Sequence, residues 1–521
     1  MRRCIVGLVS LSLFVLAWGT RADVPVARFT VTGYQVEGEN PLSAEQTREA
    51  VSLYTGELEG IESVFAAAEA LQSVLSAKGF NFFQVYVPPQ TLTAGVVKLQ
   101  IVAVKIGKVK VSGNKHYSRE SIVQSLPSLQ SGKTPDIKRF SRELALANSH
   151  PAKFLTVNLA ASDEPGQTNA SVEVADRRPW QVFFGADNSG TAQSGRYRTS
   201  FGARYDALWG LDHGVALSYS TSPENPSDVQ LYGASYRAPL PQIASELNAF
   251  FSSSDVDSGT VGDFFEVSGS GKFWGLDFTQ HLGAGGGYKH RWHLGIQDKH
   301  FKNRLSFQNQ PLGGNVRSRP LTLGYSGSYG VLGGELAFRF DYVRNIPGGD
   351  DGGAAAYAAA RAGASRGWDA FKFGATLSRG LTRRLELRMR MNGQWADEPL
   401  ISSEQFGLGG VNSVRGFDER QFAGDCGVQA SAELWMQPME SYHALRVLGF
   451  FDWGYRSNRQ PAAGTVRKDS IASVGVGLRW QWRSNVNVSL DYGTSVIDGR
   501  VNLNQPVVSG SKLHANIAVV F

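Results

Sequence analysis

From Trp180 to Phe521 apolar residues recur at every second position, and so long an alternation restricts the chain to β-structure with two chemically different faces. Along Arg196 to Tyr205, Tyr197, Thr199, Phe201, Ala203 and Tyr205 share one face, and Arg196, Arg198, Ser200, Gly202 and Arg204 take the other. Leu385, Leu387, Met389, Met391 and Trp395 oppose Arg384, Glu386, Arg388, Arg390 and Asn392, and the pattern returns over Val474 to Arg483 and over Lys512 to Phe521. A soluble sandwich would bury the apolar face in a core; a membrane barrel turns it to lipid and the charged face to a lumen. Segment length favours the barrel, because these runs reach the ~10 residues that a tilted strand needs to cross a bilayer. Aromatic residues at the strand ends, Tyr205, Trp395, Trp480 and Trp482, suit interfacial girdles, and the chain stops on Phe521 at the end of a strand. In lipid every backbone group must be paired internally, so the sheet must close. The ~340 residues from Trp180 onward allow about 21 for each of 16 strands with its connection, enough for short turns on one side and longer loops on the other. The expectation is a transmembrane antiparallel β-barrel over residues 178–521.

Average composition conceals such a barrel. A mean hydropathy of −0.21 with 42% hydrophobic residues excludes a bundle of apolar membrane helices, while Trp 11, Tyr 17 and Phe 29 are too many aromatics for a disordered chain. Arg2 and Arg3 precede a mostly apolar run from Cys4 to Trp18 and a small-residue end at Thr20-Arg21-Ala22. These are the three parts of a secretory signal peptide over residues 1–22, with a short membrane anchor as the alternative. Its removal would take Arg2, Arg3 and Arg21 from the net charge of +6, and the small remaining surplus gives no argument for nucleic acid. Cys4 and Cys426 are the two cysteines, so the processed chain would keep one thiol and no internal disulfide.

Residues 27–178 read differently, as two small α/β modules in tandem. Phe29 to Val36 is a strand, Ser43-Ala44-Glu45-Gln46 has capping-box spacing, and a helix from about Ile61 to Lys78 carries Val64, Ala67, Ala68, Leu71, Val74 and Leu75 on one stripe before Gly79. Strands follow at Phe80 to Val87 and Val96 to Val104. The β-α-α-β-β order then repeats: a strand at Ile106 to Val111, helices opened by Ser118 and Asp136, and strands at Phe154 to Leu159 and Ala170 to Val174. The boundaries expected are 27–105 and 106–177. Neither module holds a nucleotide loop or a metal cluster.

The longest late gap in the barrel is the loop 396–427. It contains Phe406-Gly407-Leu408-Gly409-Gly410, then Val414-Arg415-Gly416-Phe417 and Gly424-Asp425. In the following strand, parity gives Val447, Phe451 and Trp453 the lipid face and Phe450, Asp452 and Gly454 the lumen face. An acid on the inside of a barrel wall calls for a cation, and an arginine carried inward on a long loop can supply a bidentate pair. The Val-Arg-Gly-Phe loop, the Phe-x-Asp-x-Gly strand, two β-α-α-β-β modules and the terminal Phe521 resemble the Omp85 superfamily, outer-membrane barrels with periplasmic POTRA domains. More narrowly the chain resembles the transporters of two-partner secretion, the haemolysin secretion and activation family. Val87-Pro88-Pro89-Gln90 before Leu92 and Gly95, Asp187-Asn188-Ser189-Gly190, and Leu408-Gly409-Gly410 through Phe417 carry that resemblance over essentially the whole processed chain.

The resemblance implies that Arg415 is the tip of the sixth extracellular loop, folded into the lumen, with Asp452 its partner on the wall. It implies Phe521 as the barrel assembly signal and Pro88, Pro89 and Gln90 as candidates for contact with cargo. An unfolded exoprotein would be captured in the periplasm and passed through the barrel, using no cofactor, in a monomer held by outer-membrane lipid and inserted with the help of the barrel assembly machinery and periplasmic chaperones. Many of these transporters carry an N-terminal plug helix and linker. Residues 23–28 are too few for both, so the loop itself is expected to restrict the lumen. Enzyme readings fare poorly: His290 and His293, at i and i+3 on a strand, point to opposite faces and make no metal pair, and no nucleophile elbow is evident. An assembly factor that inserts other barrels is the alternative function, and a passive porin or a secreted β-rich binding protein would leave the modules without a job.

Overall fold

A computed structural model describes residues 28–521 apart from 192–193, 256–257, 262–264, 269, 286, 303–305, 308–309, 312–313, 332 and 440–443, so the expected signal peptide lies outside the described residues. The chain forms two compact units, divided after Val104.

In the first unit Ser43 closes a full capping box. Its hydroxyl accepts from the Gln46 amide at 3.2 Å, and the Gln46 side chain accepts from the Ser43 amide at 3.3 Å, opening the helix Ala44–Val51. The second helix, Glu62–Ala77, buries Val64, Ala67, Ala68, Leu71 and Leu75, and its stripe shares one apolar core with Val97, Leu99 and Ile101 of the strand Val96–Ala103. That strand is central, parallel to Gly33–Gly38 and antiparallel to Phe83–Tyr86. One feature departs from the expected order. The first strand is broken at Thr32, and its first half, Arg28–Val31, pairs with an extra strand, Gly56–Glu59, between the helices.

The second unit opens with the same topology. Gln167–Asp176 lies between Lys105–Ser112, parallel to it, and Lys153–Ala161, antiparallel. Ser118 caps the helix Arg119–Gln124, and the Asp136 carboxylate accepts from the amides of Lys138 and Arg139 to start Ile137–Ala147. This module is seated on the barrel by buried polar contacts. Lys153 pairs with Asp212 in the turn between the barrel strands Arg198–Leu208 and His213–Thr221, and Ser121 donates to the same carboxylate at 3.0 Å. His150 Nδ1 accepts from the Ala152 amide at 3.1 Å, so Nε2 carries the proton and donates to the Asp206 carbonyl at 2.9 Å.

Burial pushes the His150 pKa down from 6.5 to about 4. Because folding depresses this pKa, the stabilisation from neutral His150 is complete above about 6.5 and drains away as the pH falls from there towards about 4. Amide hydrogen exchange around residues 149–155 and 206–212 should therefore accelerate between pH 7 and pH 5. Exchange that stays flat after correction for intrinsic rates would contradict this.

The barrel has sixteen antiparallel strands among the described residues, counting Val316–Ser318 and Pro320–Val331 as one strand broken at Arg319. It closes between Trp180–Asp187 and Ser511–Val520, where Phe521 and Val182 exchange backbone hydrogen bonds of 2.9 and 3.3 Å. Just beyond the paired residues, the Asn188 side-chain amide donates to the Leu513 carbonyl at 2.6 Å and accepts from the Ala515 amide at 2.9 Å, acting as one more strand residue. Phe201, Leu217, Leu323, Phe340 and Val476 stand exposed on the outer wall, and Asp206, Asp341, Asp452 and Asp491 are buried inside it. The alternation therefore reads as lipid outside and charge inside.

The polarity of the lumen is not uniform, which corrects the expectation of a polar interior throughout. At the end far from the second module, inward-facing Phe273, Phe301, Val343, Ala370 and Ala396 form a core with Tyr357, Trp368, Leu400 and Ile401 of two loops. The physical reason is that these wall residues meet folded loop, not water, so apolar side chains are favoured there.

Candidate functional site

The loop between the strands Leu385–Ala396 and Cys426–Met436 enters the lumen as a short hairpin, Phe406–Leu408 against Phe422–Gly424. Val414 and Phe417 are fully buried with Leu408, Phe422 and Ile471, so the loop carries its own small core to the wall. Between them Arg415 is only 1% exposed. Gly416 follows at φ +95°, a conformation that turns the backbone sharply after the arginine and that side chains resist.

Asp452 receives Arg415 in bidentate fashion, Nε to Oδ2 at 2.7 Å and Nη2 to Oδ1 at 2.9 Å, and the Arg415 amide adds a bond of 3.2 Å. Phe450, placed by parity beside Asp452, lies flat under the guanidinium with 3.5 Å from the cation to the ring centre. Gly454, the third residue of that strand motif, leaves room for the loop, since a Cβ there would lie 2.8 Å from Leu408 Cδ2. Gly493 on the next strand but one does the same for the arginine itself: a Cβ would sit 2.9 Å from the Arg415 carbonyl carbon and the Gly416 nitrogen. The structure thus brings Val414, Arg415, Gly416, Phe417, Phe450, Asp452 and Gly454 into one buried cluster.

Further partners surround the arginine that sequence reasoning did not name. Ser431 lies directly across from Asp452 in the register and donates to it at 2.6 Å, Glu433 meets Arg415 Nη2 at 2.7 Å, and Asp491 approaches Nη1 at 3.5 Å. His514 accepts from the Gly416 amide at 3.1 Å, and Lys512 pairs with Asp418 at 2.6 Å. The inward parity of Glu433 and Asp491 was available as a signal, but their height beside Asp452 depends on strand register.

Cavities of about 1590 and 930 Å³ flank the loop and share Arg390, Asn412, Glu419 and Arg420 in their lining. The larger reaches Ser141, Asn148 and Phe154 of the second module. Arg198, Arg388, Arg390 and Arg479 all line the smaller one, as parity placed them.

Elsewhere, Gln90 does not hang free in solvent. Its amide accepts from the Lys98 nitrogen at 2.6 Å and donates to the Lys98 carbonyl at 2.8 Å, pairing the end of the strand Val96–Ala103. Pro89 is exposed and Pro88 half-buried beside it. His290 bonds Tyr325 at 2.8 Å while His293 faces Asp341 at 3.3 Å inside the barrel, so the two histidines do not converge.

Residues 166–480 match the family model of the haemolysin secretion/activation proteins ShlB/FhaC/HecB. The chain belongs to this family. Residues 29–103 match the POTRA domain of ShlB type. The transporter is 20% identical over 486 residues to the heme/hemopexin transporter protein HuxB of Haemophilus influenzae (strain 86-028NP), covering 89% of this chain and 83% of that one. It is 22% identical over 412 residues to the outer membrane transporter CdiB of Escherichia coli O6:K15:H31, covering 78% and 68%. Its fold matches the solved structure of CdiB from Escherichia coli with a TM-score of 0.76 at 17% identity, over 97% of this chain and 93% of that one. It is an outer-membrane translocator of two-partner secretion, with its POTRA region in the periplasm, and it is not an enzyme. Its partner is a secreted exoprotein.

Proposed function

We propose that the Arg415–Asp452 pair holds the sixth loop in the position from which the transporter conducts its exoprotein. The observation that carries this reading is the completeness of the seat: a 1% exposed guanidinium with three carboxylates, a hydroxyl and an aromatic face around it. A loop needed merely to shorten a connection would not require a charge so heavily compensated, because burying it is expensive unless every group is paired. On this reading residues 27–105 and 106–177 are the two POTRA domains, which take the unfolded exoprotein along an exposed strand edge by main-chain hydrogen bonds. The contact of the larger cavity with Phe154 and Ser141 supports entry past the second module. Pro88, Pro89 and Gln90 act in cargo binding through the shape of their turn, with Gln90 holding it to the sheet. The transporter works as a monomer in outer-membrane lipid, after insertion by the barrel assembly machinery with periplasmic chaperones.

Deleting the gene tests the reading as a whole. Loss of one large exoprotein from the secreted fraction is the expected result, and broad loss of outer-membrane barrels would instead mean an insertase. Removing Phe521 should lower the amount of folded barrel in the membrane several-fold, because its backbone closes the seam against Val182. Heat-modifiability of the band in gel electrophoresis reports this, and an undiminished folded band would count against Phe521 as the assembly signal.

A further inference from the structure

At the mouth opposite the second module two loops pack into one apolar core, and one buried carboxylate joins them. The loop between the strands Gly334–Asn345 and Asp369–Gly380 carries the helix Ala354–Ala360. Its Tyr357 is fully buried, donates to the Arg317 carbonyl at 3.1 Å and accepts from Asn345 Nδ2 at 2.9 Å; Trp368 is 1% exposed. Both pack with Leu400 and Ile401, at the start of the sixth loop, against the inward-facing Phe273, Phe301 and Val343. The two loops also touch through backbone, Ser365 N to Pro399 O at 3.0 Å.

Asp425, at the other end of the sixth loop, is 0% exposed. Arg361, just after the helix, makes a two-pronged contact with it and also donates to the Leu400 carbonyl. The same carboxylate accepts from the Leu400 amide at 2.9 Å, from Gln405 Nε2 at 3.0 Å and from the Arg459 amide of the next loop at 2.7 Å. So many donors on one buried carboxylate exceed what anchoring a single loop needs. They make the helix-bearing loop, both ends of the sixth loop and the start of the seventh into one body, which fills the mouth with an apolar core.

We infer that Asp425 is a positioning residue for cargo exit: through Arg361 it locks the helix-bearing loop to the sixth loop as a single outer plug, and the mouth opens when that lock releases. The inference rests on the translocator reading for what passes, but closure can be read without cargo. The Arg361–Asp425 lock is distinct from the Arg415 seat, which lies deeper in the lumen and is built from other residues of the sixth loop.

The experiment compares Arg361→Ala and Asp425→Asn with the parent protein in planar bilayers. Each single variant is expected to raise open-channel current about tenfold by shifting the closed population. Heat-modifiability confirms that each barrel is folded, and Arg361→Ala keeps the test alive where Asp425→Asn fails to fold. Folded single variants with the parent's current would overturn the inference. In a Cys426→Ser background, Arg361→Cys with Asp425→Cys joined by a short reducible thiol cross-linker should block secretion, and reductant should restore it. Undiminished secretion by the cross-linked protein would equally overturn it. Secretion lost by the folded double variant even without cross-linker would overturn it too, whereas secretion unchanged by deleting the whole gene would instead tell against the translocator reading, with the bilayer currents still deciding the plug.

Discussion

Arg415→Ala is expected to give a folded, heat-modifiable barrel whose exoprotein no longer reaches the medium. Removing one partner from a buried ion pair strands the other, a penalty of roughly 3–5 kcal/mol, and here Asp452 at 0% exposure would be left inside the wall with the Ser431 hydroxyl but without its guanidinium, while Asp491 keeps Arg479. The barrel itself can absorb this, because its sixteen-strand ladder does not run through the loop. The loop cannot, since Arg415 supplies its charged contacts to Asp452, Glu433 and Asp491. It would leave the wall and let water solvate the acids. Arg415→Lys should recover little, because an ammonium cannot make the fork to Asp452 and lie over Phe450 at once. Immunoblots of the secreted and outer-membrane fractions measure both outcomes, and full secretion by Arg415→Ala would remove the seat from the transport mechanism.

Gly493→Val should impair secretion nearly as severely without touching a single charge. The added Cβ would lie 2.9 Å from the Arg415 carbonyl carbon and the Gly416 nitrogen, backbone atoms that cannot rotate away. Overpacking of this kind costs roughly 1–3 kcal/mol, relieved most simply by lifting the Arg-Gly tip off the wall. Gly493→Ala should show a smaller loss of the same kind, since it lacks the two extra methyl groups. A graded decline from Gly to Ala to Val would tie secretion to the position of the loop tip, whereas equal secretion by all three at equal barrel levels would refute that tie.

Some of this architecture was legible residue by residue. Parity along Leu385 to Trp395 and Val474 to Arg483 separates lipid face from lumen face, and Ser43, Ser118 and Asp136 announce their helices because each offers an oxygen to open amides. The pairing of Arg415 with Asp452 followed from parity combined with family resemblance. Other features were not legible. Ala354–Ala360 is an alanine-rich turn of helix in a glycine-rich stretch, with no apolar period to reveal it. The inward Phe273 and Phe301 resemble lipid-facing residues until something is found inside the barrel for them to meet.

The period of two is a property of the local backbone, so the chain alone settles that a two-faced sheet must close and which side chains look inward. It also settles the module order, through caps and stripes within single elements. The height at which inward residues from neighbouring strands meet depends on the register of every strand between them. Only the registers of the five neighbouring strands from Cys426–Met436 to Ser511–Val520 bring Asp452, Glu433, Asp491 and His514 to one level around Arg415, and only folding the loops inward makes Asp425 the point where they join. A carboxylate's parity is written in its own strand; its partners are written in the register of the strands beside it.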